Sequence, residues 1–102
     1  MKILKQTLPA DHPAADGHFP GNPVIPGAVL LSEALRMIEA GLGRRLSPYR
    51  IRRAKFPHPA RPGDELEVSF SEARDAVRGA VRFHCAVRGK AVLVGEVECA
   101  AT

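Results

Sequence analysis

Apolar and polar positions alternate along most of the second half of the chain. Leu66, Val68 and Phe70 are interleaved with Glu65, Glu67 and Ser69, and Val81, Phe83, Cys85 and Val87 repeat the same period of two. That period sends successive side chains to opposite faces of a strand. It predicts strands over Glu65–Glu72 and Ala76–Val87 with the apolar members turned inward, and the valine-rich run Ala91–Ala100 makes another. Gly89-Lys90 supplies the turn before the last strand, and Asp75 with Ala73-Arg74 marks the break before Ala76. Tyr49–Phe56 is a further strand whose basic residues leave its facing ambiguous. Residues 2–8, apolar at Ile3, Leu4 and Leu8 and stopped by Pro9, make a short first strand.

The period changes once. From Ala28 to about Leu42 the apolar residues Leu31, Ala34, Leu35, Ile38 and Leu42 fall at i, i+3, i+4, i+7 and i+11, which is helical spacing. At 100° per residue the apolar arc runs from Leu30 through Ile38 to Leu35, and Ser32, Glu33, Arg36 and Glu39 share the opposite arc. Gly41 and Gly43 mark the end, followed by Arg44 and Arg45 where the helix dipole favours cations. One strand, one helix and four strands joined by short connections imply an α+β arrangement, a mainly antiparallel sheet with the helix on one face. A sheet of such long strands can curve around the helix, and a core this thin makes dimerisation through a sheet edge or helix end physically attractive.

Between the first strand and the helix the chain carries Pro9, Pro13, Pro20, Pro23 and Pro26 with Gly17, Gly21 and Gly27. This density forbids helix and interrupts sheet, so the segment is expected to be a loop of fixed shape, and a loop so long in a small domain points to function. The 102 residues predict one domain spanning 1–102. Fifteen Lys and Arg against eleven Asp and Glu leave +4, which favours an acidic partner. One Tyr and no Trp give no stacking platform for single-stranded nucleic acid. Apolar runs such as Ala28–Leu31 and Ala91–Val94 fall far short of a membrane span. The first residues, Met1-Lys2-Ile3-Leu4-Lys5-Gln6, lack the apolar core of a signal peptide, so the expected location is the cytoplasm. A hairpin about residues 88–90 would set Cys85 opposite residues near 92–94 and leave Cys99 out of reach, so no disulfide is expected. His12, His58 and His84 lack metal-like spacing, and no metal site is expected.

The most informative segment is Gly17-His18-Phe19-Pro20-Gly21-Asn22-Pro23-Val24-Ile25-Pro26-Gly27. It resembles the β-hydroxyacyl-acyl carrier protein dehydratases of the hotdog-fold superfamily, whose signature is a His-Phe-Pro-Gly-x-Pro-x-x-Pro-Gly loop entering the central helix. Every fixed position is present. A second family feature, Phe-x-x-Pro-x-x-Pro-Gly-Asp opening a strand, appears as Phe56-Pro57-His58-Pro59-Ala60-Arg61-Pro62-Gly63-Asp64. The resemblance implies a hotdog fold, a curved antiparallel sheet wrapped around one central helix. It also implies dehydration of 3-hydroxyacyl thioesters to trans-2-enoyl thioesters in fatty-acid or related acyl-chain synthesis, without a cofactor. The substrate would be held on an acyl carrier protein or CoA, and two copies of the chain would share each active site in a homodimer or higher assembly.

Such a dehydration needs a base for the C2 proton, an acid for the departing hydroxyl and polarisation of the thioester carbonyl. His18, in its proline-stiffened loop, suits the base because imidazole titrates near neutrality. The free N–H groups of the helix N-terminus suit the carbonyl oxygen, and by resemblance the backbone N–H of Gly27 would polarise it. The resembled family carries its acid fourteen residues after the histidine, and here that position is Ser32 with Glu33 one place later. Three alternatives stay open: a shifted register in which Glu33 serves, a catalytic water held by Ser32, or a site that no longer dehydrates. Phe19, Pro26, Leu30 and Leu31 are candidates to line the acyl chain. Arg44, Arg45, Arg52 and Arg53, within a wider basic group, are candidates to receive an acidic carrier protein. Two other functions remain on the same fold: an inert subunit that binds acyl carrier protein or acyl chains, and a thioesterase.

Overall fold

The computed structural model describes residues 2–9, 24–74 and 78–100. Its elements are β1 (Lys2–Thr7), α1 (Gly27–Leu42), β2 (Tyr49–Lys55), β3 (Glu65–Arg74), β4 (Arg78–Val87) and β5 (Lys90–Ala100). The strands form one antiparallel sheet in the order β1-β3-β4-β5-β2, so β1 and β2 are its edges. The inward residues expected from the alternation, Leu66, Val68, Phe70, Val81, Phe83, Cys85 and Val87, are all buried. With Leu30, Ala34, Leu35, Met37 and Ile38 of α1 they belong to one continuous core. Among the described residues no helix is long and apolar enough to cross a membrane.

Three details depart from the pattern reading. The β4–β5 turn is Arg88-Gly89, one residue earlier than expected, with φ of 49° and 78° and Lys90 already in the strand. Two positive φ values are the mark of a type I′ hairpin, which matches the twist of its strands. Second, β5 carries an extra residue. Cys85 pairs with Leu93 but Ala86 pairs with Ala91, so Val92 is bulged and the consecutive Val92 and Leu93 are both buried. An equivalent irregularity at Arg52 in β2, between the Ile51–Val97 and Arg53–Glu96 pairs, lets a strand with four cations lie along the glutamates of β5. Third, the buried face of α1 reaches past Leu30 to Met37 and towards Glu33, whose side chain is only 13% exposed, while Leu31 is half-buried. Glu33 is therefore not on a solvated arc as its spacing suggested. The helix ends at Gly43, φ 71°, whose N–H donates to the Glu39 carbonyl at 2.9 Å. The Glu39 carboxylate accepts the Leu46 N–H at 2.7 Å and holds the turn that follows.

Both cysteines are free and buried; Cys85 lies opposite Leu93, and Cys99 opposite Gly79 six residues farther along β5. Burial pushes the Cys85 thiol from 9.0 up to about 12. The native state therefore keeps this proton at pH values where the unfolded chain loses it, so the stability it contributes is intact below pH 9 and is lost as pH rises towards 12. At pH 9 iodoacetamide should leave Cys85 of the native protein unmodified and alkylate it once urea unfolds the chain, as peptide mass spectrometry would show. The fall in melting temperature above pH 9 should be shallower in Cys85→Ala. Prompt native-state labelling would contradict the burial.

Candidate active site at the N-terminus of the helix

One main-chain hydrogen bond joins the two sequence motifs, and two more tie the end of β1 to the second of them. Just before the proline loop, the Leu8 N–H donates to the Asp64 carbonyl at 2.8 Å, and the Leu8 carbonyl accepts the Gly63 N–H at 3.0 Å. Just after the loop, the Ile25 N–H donates to the Ala60 carbonyl at 2.8 Å. Leu8, Ile25 and Ala60 are all buried, so these bonds are shielded from water. The clamp segment is rigid in turn. Gly63 sits at φ 88°, a conformation glycine adopts without steric cost. Asp64, the one buried charged residue described, accepts the Arg61 N–H at 2.8 Å on its Oδ2. Residues 60–64 thus hold both ends of the loop that carries His18. His18 and Phe19 themselves lie outside the described residues.

The loop delivers the chain to α1 through Pro26, which offers no side-chain cap. Val29 and Leu30 donate their N–H groups to the Pro26 carbonyl at 3.0 Å, while those of Gly27 and Ala28 have no acceptor among the described residues. These two donors and the positive end of the helix dipole suit a carbonyl oxygen acquiring negative charge. A cleft of about 290 Å³ with a mixed polar and apolar surface opens beside Gly27, lined by Ile25, Gly27, Leu30, Phe56 and His58 among others. Glycine at 27 lets the neighbouring ring pack closely: an added Cβ would lie 3.1–3.2 Å from three carbons of Phe56, which would have to give by a few tenths of an ångström. The glycine of the first motif and the phenylalanine of the second are one packing pair.

Of the other candidate residues, Leu30 is 2% exposed and serves both core and cleft, Leu31 packs on the core from the half-buried side, and Pro26 is half-buried at the helix entrance. Ser32 and Glu33 point about 100° apart around the helix. Ser32 is exposed; Glu33 is largely covered and lies 3.9 Å from Arg36 Nη1. The four arginines are not equivalent. Arg44 is paired with Glu72, and Arg52 with Glu98 at 3.2 Å and Glu96 at 3.7 Å, whereas Arg45 and Arg53 are exposed with no carboxylate partner among the described residues.

Sequence reasoning treated His58 as an ordinary loop residue, yet it stands in the wall of the Gly27 cleft with Nδ1 3.0 Å from the Ala91 carbonyl. Its place inside the second motif was the available signal. No group of three or more His, Cys, Asp or Glu suited to a metal ion occurs among the described residues.

Comparison with known proteins agrees with this geometry. Residues 2–96 match the family model described as ApeI-like, ApeI dehydratase. The chain is 35% identical over 103 residues to a 3-hydroxyacyl-[acyl-carrier-protein] dehydratase FabZ of Sodalis glossinidius, covering 90% of this chain and 64% of that one. To the Klebsiella pneumoniae enzyme of the same name it is 32% identical over 108 residues, covering 95% and 67%. The chain therefore spans about two thirds of the length of these relatives. Among solved structures, the dehydratase heterocomplex ApeI:P from Xenorhabdus doucetiae superposes with a TM-score of 0.69 at 18% identity, covering 95% of this chain and 85% of that one. A 1,4-dihydroxy-2-naphthoyl-CoA thioesterase from Synechocystis gives 0.74 at 15%, covering 96% and 79%. At such identities the structural likeness establishes the fold alone, and it is the hotdog fold.

Proposed function

Because the chain belongs to the ApeI-like dehydratase family, we propose that it removes water from 3-hydroxyacyl thioesters to give trans-2-enoyl thioesters, in fatty-acid or related acyl-chain synthesis. The observation that carries this reading is the cleft at the helix N-terminus, where the N–H groups of Gly27 and Ala28 are uncapped, at the end of a loop clamped on both sides. In this scheme the thioester carbonyl oxygen accepts the Gly27 N–H, which stabilises the charge that develops when a proton leaves C2. His18 takes that proton, and an acid protonates the C3 hydroxyl as the C3–O bond breaks and water departs. Phe19, Pro26, Leu30 and Leu31 line the acyl chain. Glu33 is the better acid on the environment observed: it is covered where Ser32 is exposed, and it lies one turn beyond the N–H donors of Gly27 and Ala28.

The thioester is carried on an acidic acyl carrier protein, received by Arg45 and Arg53 with Arg44 and Arg52 alongside, or on CoA. Each site is shared between two copies of the chain. Support for such pairing comes from edge strand β2, where Tyr49 and Ile51 are 41% and 46% exposed, and from Phe56 just beyond it at 44%. The free thiols suit a reducing compartment, and we assign the activity to the cytoplasm. Incubation of the protein with a 3-hydroxyacyl thioester should yield the enoyl product, read as loss of one water by mass spectrometry. Glu33→Gln should lower turnover by about a hundredfold or more, with Ser32→Ala changing it by less than about threefold. The reverse pattern would move the acid function to Ser32.

One observation favours a second reading. The expected acid position holds the exposed Ser32, and a similar structure is a dehydratase heterocomplex. This chain would then be an inert subunit that binds the carrier or its acyl chain. It would show no turnover alone and gain it on Ser32→Glu. Release of free acid in the same assay would identify a thioesterase.

A further inference from the structure

The outer face of the sheet, turned away from the core and α1, carries a cleft of about 400 Å³ that crosses four strands from β3 to the edge strand β2. Phe70, Phe83 and Gly95 are buried on the inner side. The period of two turns their neighbours Ser71, Arg82, His84 and Glu96 outward into this cleft, and Arg53 of β2 closes its end. We propose that the outer cleft binds a phosphate group, free or as a monoester, at a site separate from the one that handles the thioester. The inference does not depend on the dehydratase reading, because neither α1 nor residues 56–64 line this cleft.

Three guanidinium groups surround one carboxylate here. Glu96 lies opposite Arg82 in the β4–β5 ladder and opposite Arg53 in the β5–β2 ladder. Its Oε1 accepts the Arg82 Nε–H at 2.9 Å, and its Oε2 is 3.7 Å from Arg52 Nε. Arg52 is further paired with Glu98 at 3.2 Å. Arg53 is left with no carboxylate partner among the described residues. The Arg82 side chain is 77% exposed, so Glu96 orients it through Nε and leaves its Nη groups for a ligand.

Neutral donors stand beside these cations. Ser71 is the partner of Arg82 across the β3–β4 ladder, and neither its hydroxyl nor the His84 ring has a partner among the described residues. Two guanidinium forks with a hydroxyl and an imidazole, arriving from three strands, match a tetrahedral dianion with several acceptor oxygens better than a planar carboxylate, which a single fork satisfies.

The backbone is an independent sign. A regular strand would send Arg52 and Arg53 to opposite faces. The extra residue at Arg52 brings both to the outer face, where Arg52 reaches Glu96 and Glu98 while Arg53 stands opposite Glu96. The bulge thereby concentrates positive charge at the cleft. Neighbouring like charges repel, and a bound dianion removes that cost.

The test is an NMR titration of the whole protein with inorganic phosphate and with glycerol 3-phosphate, chloride holding the ionic strength constant. Both probes should give saturable amide shifts centred on Ser71, Arg82, His84 and Arg53, with a Kd of about 1 mM. Arg53 is shared with the surface proposed for the carrier, so the variants are placed elsewhere. Ser71→Ala/Arg82→Gln should raise the Kd about tenfold. Arg82→Lys, which keeps the charge and loses the fork, should raise it about threefold and serves as the test if the double variant does not fold. Tighter binding of glycerol 3-phosphate identifies an esterified ligand, and equal binding identifies free phosphate. Shifts that grow linearly without saturation, that centre on Arg45 or Arg88 instead, or that are unchanged in the variants would overturn the proposal.

Discussion

His18→Ala should reduce turnover of a 3-hydroxyacyl thioester by about three orders of magnitude while leaving the melting temperature within about 2 °C of the parent. The size follows from the role. Removing the C2 proton without a positioned base leaves only carbonyl polarisation and substrate binding to lower the barrier, and a well-placed general base contributes roughly 10²–10⁴ in rate. Most of that depends on position. The segment that carries His18 is fastened on its two sides, at Leu8 and Ile25, by three hydrogen bonds of 2.8–3.0 Å to residues 60–64. The effect should fall on kcat with little change in KM if, as proposed, His18 acts on the reacting atoms and Leu30 and its neighbours bind the chain. Retained activity would sink the assignment, and His58, which borders the same cleft, would be the next base to remove.

The largest effect on stability is expected at Gly95. A Cβ there would come within 2.7 Å of Phe83 Cζ, 2.9 Å of its Cε2 and 2.8 Å of the Arg53 carbonyl oxygen. The ring is buried in the core and the oxygen is backbone on the adjacent strand, so neither can swing clear cheaply. Gly95→Ala should cost about 2–3 kcal/mol, a drop of roughly 10–20 °C in melting temperature for a domain of this size. Phe83→Leu in the same background should return part of the loss, because it removes the ring contacts and leaves the carbonyl one. A Gly95→Ala protein that melts like the parent would show that β2 and β5 can separate locally at little cost.

The strands were legible because alternation is a direct image of burial: each of Leu66, Val68, Phe70, Val81, Phe83, Cys85 and Val87 is inward as its period required. The bulges were not. An added residue leaves no compositional mark, and the adjacent apolar pair Val92-Leu93 was its one trace. The hairpin turn was misplaced by one residue because Arg88 adopts a conformation its own preference disfavours. Helical spacing assigned Glu33 to the solvated arc, since a wheel reports only the helix and not what covers it. The dehydratase-like motifs were readable as residue types at fixed intervals. Their physical union was not, because the bonds joining them run between main-chain atoms that any side chain could accompany.

The fastening of both flanks to one short stretch of chain makes that stretch a shared hinge pin. Leu8 and Ile25, seventeen residues apart in sequence, are bonded within the five residues from Ala60 to Asp64. A substitution that shifts this stretch is therefore felt at the end of β1 and at the entrance of α1 together.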